Sequence, residues 1–372
     1  MIYFDNSSTT LIKPKIVADS VKYAINNFGN SGRSYNECAI LSARSIYNTR
    51  EAIANLINLD NPLNIAFTSG ATESLNLVIN SVLEKTDHVI MSAFDHNSSI
   101  RPLYNLGCKT SIIPILNGKL NYKYMNIFLT SQTKAVICTH ASNVTGEIID
   151  PYIIKEFCKK NNLIFILDVS QTLGSVKVDA SMADIICFTG HKSLFGPQGT
   201  GGIILNENIK IKHIVKTGGT GINTYDYLQQ LQMPDIYEAG TLNSHSLYGL
   251  LHSVNFINNI GIQTISEHKN KLIKIFLDEL KHTSGINLYS NFKNNVGIIA
   301  LNYKDIPSDI LAKKLYEDYE IFTRAQSHCA PLLHTSYNTK LQGMVRFSFS
   351  YFNTVNEVKS CTNAIKEIIQ TL

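Results

Sequence analysis

The chain has 372 residues, 44% of them hydrophobic and 17% charged, a length that suits about two domains and an apolar share that fills a large core. A disordered protein is excluded on that ground, and 21 Gly and 9 Pro are too few for collagen or low-complexity sequence. The formal net charge of +4, without a long Lys/Arg run, suggests no nucleic-acid partner and no anionic membrane, and no apolar stretch approaches the roughly 18 residues that span a bilayer.

In chain order, residues 15–28 carry apolar positions at helical spacing, and 40–58 repeat the pattern. LNIAF (63–67) reads as a strand, followed by a turn and a helix in TSGATESLNLVINSVLEK. Further short apolar runs are HVIMS (88–92), SIIPI (111–115), AVICTH (135–140), LIFILD (163–168), DIICF (184–188) and GGIIL (201–205), with helical segments such as 151–161 between them. Apolar strands alternating with helices predict an α/β fold whose mainly parallel sheet is covered on both faces. Beyond about residue 255 the pattern becomes a long helix (265–281), a strand in VGIIALNY, a helix (308–319), a strand in MVRFSFSY and a terminal helix (355–370), which predicts a smaller α+β domain. The first dozen residues are too short for a domain and could dock anywhere.

The seven cysteines are odd in number and widely spaced, with no CxxC pair, so neither a disulfide framework nor a zinc ribbon is expected, and no metal site. Most lie in apolar runs, where a small buried thiol is the default. Met1 is followed at once by polar FDNSSTT, unlike a signal peptide, and a reduced, cytoplasmic protein is expected.

In such sheets ligands bind beyond the carboxyl ends of the strands. After LNIAF, Thr68-Ser69-Gly70-Ala71-Thr72-Glu73 is a small-residue turn opening a helix, whose free N–H groups suit a phosphate; it also reads as an ordinary helix start capped by Thr72 or Ser69. The strand LIFILD ends in Asp168, with Gln171 three residues later. DIICF leads into Thr189-Gly190-His191-Lys192-Ser193 and a Gly-rich stretch. A lysine and an acid on neighbouring strand ends, facing a phosphate-type turn, are what pyridoxal 5'-phosphate requires: an amine to tether it and a carboxylate to keep its ring nitrogen protonated.

With these motifs the chain resembles the class V aminotransferase family of pyridoxal-phosphate enzymes, and within it the cysteine desulfurases and selenocysteine lyases. The matching stretches run end to end: YFDNSSTT (3–10), TSGATESLN (68–76), DHNS (95–98), HASNVTG (140–146), DVSQTLG (168–174), FTGHKSLFGPQGTGG (188–202), YEAGTLN (237–243), SHCAP (327–331) and VRFSFSYFNT (345–354). The resemblance implies fold type I, with a large domain (15–255) around a mainly parallel seven-stranded sheet and a small α+β domain made of 1–14 and 256–372. It implies that Lys192 is the Schiff-base lysine, that Asp168 pairs with the pyridine nitrogen, that Gln171 bonds the ring hydroxyl and that His96 stacks on the ring and shuttles protons. Phosphate contacts fall to Ala71, Thr72, Thr189 and His191, and to Thr241 reaching across a homodimer interface. Asn143 would lie beside the ring hydroxyl and the substrate amine, and Arg346 would hold the substrate carboxylate by a two-point contact.

Cys329 distinguishes the possible reactions. It lies in polar AQSHCAPLLHTS, where a thiolate could attack the sulfur of bound L-cysteine, giving L-alanine and a persulfide destined for an acceptor protein or a small thiol. Selenocysteine lyase activity and true transamination are the alternatives on this scaffold, and a non-enzymatic relative is the contrasting class. One departure stands at Asn36, where many relatives have a His.

Overall fold

The computed structural model describes residues 1–32, 35–206, 209–221 and 223–372. Its centre is a seven-stranded sheet in the order Ile65–Thr68, Gly201–Leu205, Ile185–Thr189, Ile164–Asp168, Thr133–Thr139, His88–Ser92, Lys109–Ile113. Only Gly201–Leu205 runs antiparallel to its neighbours. Every other strand therefore delivers its carboxyl end to the same edge: Thr68, Ser92, Thr139, Asp168 and Thr189 lie there together. Side chains alternate between the two faces along each strand. Phe67, Ile90, Val136, Leu167 and Phe188 enter one core with Ile53 and Leu250. Ala66, Val89, Ile137, Ile166 and Cys187 enter the other, with Leu75, Val78 and Tyr237. Burial on both faces is why these strands read as continuous apolar runs.

A third core is built from Phe4, Leu272, Phe276, Ile299, Leu315, Phe347 and Ile365. Its antiparallel sheet joins Ile286–Leu288, Ile298–Tyr303 and Val345–Ser348. The chain start is fixed here as well: Ile2 and Tyr3 pair in parallel with Ile321 and Phe322, and Asp5 bridges to Ser348. Thr10 then donates its hydroxyl to the His191 carbonyl at 3.1 Å, so the first ten residues run from the small sheet to the loop bearing Lys192.

Element boundaries moved for local reasons. The strand expected at 111–115 is Lys109–Ile113 and stops before Pro114, which has no N–H for a ladder. The helix expected from 40 begins at Glu37, because the Asn36 side chain accepts the Ala39 N–H at 2.9 Å. Four helices carried no expectation, the short Tyr124–Phe128 and Pro331–Ser336 and the longer Asn97–Leu106 and Ser244–Ile260.

A buried ion pair fixes one further segment. Arg50 and Glu238 meet through paired contacts at 2.5 and 2.8 Å, and Glu238 also accepts the Phe67 N–H at 2.5 Å. Breaking such a pair typically costs about 3–5 kcal/mol, since one charge is left buried alone. The pair ties Tyr237–Gly240, just ahead of Thr241, to the first strand of the sheet.

Candidate active site

A cavity of about 200 Å³ opens at the carboxyl edge of the sheet. Of the residues expected to act together, Ala71, Thr72, His96, Asn143, Asp168, Gln171, Thr189, His191 and Lys192 all line it. Thr241, Cys329 and Arg346 do not: Thr241 is exposed in the loop beyond the Arg50–Glu238 pair, while Cys329 and Arg346 are joined to the wall through hydrogen bonds with Asn143 and its neighbours.

The anion end is built from a helix start. Helix Ala71–Val82 has Gly70 as its N-cap and no side-chain cap, so the capping by Thr72 or Ser69 that the sequence also allowed is not used. Glu73 instead turns back to accept the Ser69 N–H at 2.7 Å and pairs with Lys216 at 3.2 Å. The helix N–H groups are left facing the cavity, the arrangement that attracts phosphate oxygens. Close packing shapes this wall: a Cβ on Gly201 would lie 2.5 Å from the Gly70 Cα, so only glycine lets the strand approach the turn.

Asp168 ends its strand buried, with one carboxylate oxygen accepting the Ser170 N–H at 2.9 Å and the Ser170 hydroxyl at 2.5 Å. Lys192 follows the next strand, half-buried. Burial pulls its amine down to about 8, against the raising effect of Asp168. Burial and the Lys192 charge together lower His96 to about 4, so its imidazole is neutral at physiological pH. His96 is also the N-cap of Asn97–Leu106; its Nδ1 accepts the Ser98 N–H at 3.0 Å. His191 is likewise held near 4, by burial first and by Lys192 second.

Asp95 went unremarked in the sequence. It is fully buried, and its two oxygens accept the Thr139 N–H at 2.7 Å and the Ser92 N–H at 2.8 Å. Burial pushes its carboxyl up to about 8 against the pull of those donors. It ties the turn that carries His96 to the adjacent strand. The signal available was an acid directly before His96 at a strand end.

Arg346 is buried and fully engaged on one side: Nη2 donates to Asp5 at 2.6 Å and Ser8 at 2.7 Å, and Nη1 donates to the Asn143 carbonyl at 2.9 Å. Its Nε is buried without a partner among the described residues. Arg324, which the sequence reading passed over, pairs with Arg346 through the backbone and donates to Ser8 at 2.8 Å.

Cys329 is half-buried, whereas Cys108, Cys138, Cys158, Cys187 and Cys361 are buried and Cys38 is exposed. Its turn is pinned to the cavity wall. Asn143 donates its side-chain amide to the His328 carbonyl at 2.7 Å, and the Asn97 N–H reaches the Cys329 carbonyl at 2.8 Å. His328 points away, its Nε2 bonded to the Met344 carbonyl at 2.9 Å. His328 and Cys329 both have left-handed backbone angles, φ 47 and 56. Non-glycine residues enter that region at a cost of about 1–2 kcal/mol each, so the anchors hold a specific turn.

These features suit pyridoxal phosphate. An uncapped helix start fits the phosphate, the half-buried amine and the buried carboxylate stand on adjacent strand ends, and two buried polar atoms lining the cavity, Asn143 Oδ1 and His191 Nδ1, have no partner among the described residues. Among those residues no group of three or more His, Cys, Asp or Glu could hold a metal ion. Nor is any helix long and apolar enough to cross a membrane.

Comparison with known proteins agrees with this geometry. A "probable cysteine desulfurase" of Ureaplasma parvum is 30% identical over 99% of this chain and 93% of its own length. A protein of the same description from Borreliella burgdorferi is 29% identical over 100% and 92%. The apo structure of a cysteine desulfurase from Thermococcus onnurineus NA1 superposes with a TM-score of 0.91 at 26% identity, covering 100% of this chain and 95% of that one. The architecture is that of the fold-type-I pyridoxal-phosphate enzymes. The family description "Aminotransferase class-V" matches residues 2–361, and the chain belongs to that family.

Proposed function

We propose that the chain is a pyridoxal-phosphate-dependent cysteine desulfurase, a cytoplasmic homodimer that moves the sulfur of L-cysteine onto Cys329 and releases L-alanine. What carries this reading is that the turn holding the half-buried Cys329 is bonded to Asn143 and Asn97, beside the cavity lined by Lys192 and Asp168. We divide the chain into a cofactor domain (15–255) and a small domain (1–14 and 256–372), with the site at the sheet edge.

Lys192 would tether the cofactor, Asp168 would keep its pyridine nitrogen protonated, Gln171 would bond its ring hydroxyl, and Asn143 would lie beside that hydroxyl and the substrate amine. His96, neutral, would stack on the ring. Ala71 and Thr72 at the helix start, with Thr189 and His191, would take the phosphate, and Thr241 would do so from the second subunit. When bound, pyridoxal phosphate supplies an electron sink for the substrate's α-carbon. Arg346, oriented by Asp5 and Ser8, holds the substrate carboxylate, and Lys192 Nζ takes the Cα proton. The Cys329 thiolate then attacks the substrate Sγ. The S–S bond forms as the Cβ–Sγ bond breaks, and the bonding pair stays with the carbon that is protonated to become the alanine methyl. The persulfide on Cys329 passes its outer sulfur to an acceptor protein or a small thiol.

Product analysis tests this. With L-cysteine and a small thiol reductant, alanine and sulfide are expected in equal amounts. Pyruvate with ammonia in place of alanine, or turnover that requires a keto acid, would overturn it. Faster use of selenocysteine that survives Cys329→Ser would move the reading to selenocysteine lyase.

A second expectation concerns loading. The neutral amine is the form that condenses with an aldehyde, and burial lowers Lys192 from 10.5 to about 8. The rate at which apoprotein turns yellow on adding pyridoxal phosphate is expected to rise with pH, with its midpoint near 8, and then level off. A rate that keeps climbing to an ordinary lysine midpoint, about 10.4, would contradict the lowered value.

A further inference from the structure

Gln171 also lines a second and much smaller cavity of about 20 Å³, room for one water-sized occupant. Lys269, from the helix Ile262–Leu280, lines it and is only 7% exposed. Among the described residues its amine has no hydrogen-bond or ion-pair partner, and no carboxylate lines the cavity. Burial alone pulls the amine down to about 7, with no acid working against it. The Ser7 hydroxyl lines the same cavity and is also buried without a partner. The rest of Ser7 is fixed: its N–H donates to the Ser348 hydroxyl at 2.9 Å, and its carbonyl accepts Gln171 Nε2 at 3.2 Å. The lysine stem lies against bare backbone. Gly297 has φ +98, and a Cβ there would fall 2.2 Å from Lys269 Cε and 3.1 Å from Nζ, so glycine at 297 makes room for this side chain.

Burial without an acid favours the neutral amine, and a counter-charge placed beside it reverses that balance, which a water does not do. Of the hydroxyls that line the cavity, Ser7 Oγ is the one buried without a partner among the described residues, and the space admits a single small sphere. We propose that Lys269 and Ser7 bind one monovalent anion of halide size. Its place joins three parts of the molecule: the N-terminal segment, the helix Ile262–Leu280, and Gln171 in the wall of the larger cavity.

The purified protein with its cofactor bound is melted in sodium chloride, sodium bromide and sodium gluconate at equal ionic strength, and crystals grown in bromide are measured at the bromine absorption edge. Chloride and bromide are expected to raise Tm over gluconate by roughly 2 °C at about ten times Kd. A bromide peak is expected within hydrogen-bond reach of Lys269 Nζ. Lys269→Met should abolish the difference in Tm, and Ser7→Ala should reduce it. Equal melting in the three salts, no bromide peak in this cavity, or a peak unchanged in Lys269→Met would each overturn the proposal. If Lys269→Met does not fold, the wild-type bromide map and Ser7→Ala still decide it.

Discussion

Cys329→Ser is expected to keep the yellow colour of the bound cofactor and to release sulfide from L-cysteine at least about 10³-fold more slowly, the scale of loss when a covalent nucleophile is removed. Serine has nearly the same shape and can hold the same turn. The anchors at Asn97, Asn143 and Met344 engage the backbone and His328, not the thiol. The change therefore removes the acceptor sulfur and leaves its scaffold. Stopped-flow spectra should still change on adding cysteine, because binding does not need the thiol, while sulfide assays fall to background. Half-maximal sulfide release from this variant would point to another thiol. Cys38, the exposed cysteine, would be the one to test next.

Lys192→Ala is expected to lose the absorbance of the tethered cofactor and turnover together, by about 10⁴-fold or more, since one amine both holds the cofactor and moves the Cα proton. Folding should not suffer. The Lys192 side chain makes no hydrogen bond or ion pair among the described residues, and its lowered pKa means that burial disfavours its charge. Removing it relieves a desolvation cost, so the urea midpoint of the variant apoprotein should equal or exceed that of wild-type apoprotein. A variant with full colour and full rate would remove Lys192 from the site. A variant with a much lower midpoint would show that its role is structural.

The fold was largely legible because its strands are buried on both faces, which leaves uninterrupted apolar runs at 88–92, 164–168, 185–189 and 201–205. The helices Asn97–Leu106 and Ser244–Ile260 were not. The first carries Pro102 in its interior, which breaks the expected pattern. The second is sandwiched against Lys15–Asn27 and Glu37–Leu56, so its apolar residues do not form one clean stripe. The site was legible where chemistry is written in residue type at a strand end, as at Asp168 and Lys192. Asp95 and Arg324 escaped because their importance lies in partners remote along the chain: Thr139 for one, Ser8 and Arg346 for the other.

By itself the sequence determined which residues could carry the chemistry and that parallel strands would bring several of them to one edge, since alternation of strand and helix leaves few other ways to bury those runs. The tertiary structure alone decided three things. Arg346 is fastened by Asp5 and Ser8 from the chain start, Cys329 is held in a left-handed turn by Asn97 and Asn143, and Lys269 is buried without an acid beside Ser7. Each depends on contacts between segments more than 170 residues apart, and local propensity along the chain carries no record of which distant group will satisfy a buried charge or carbonyl.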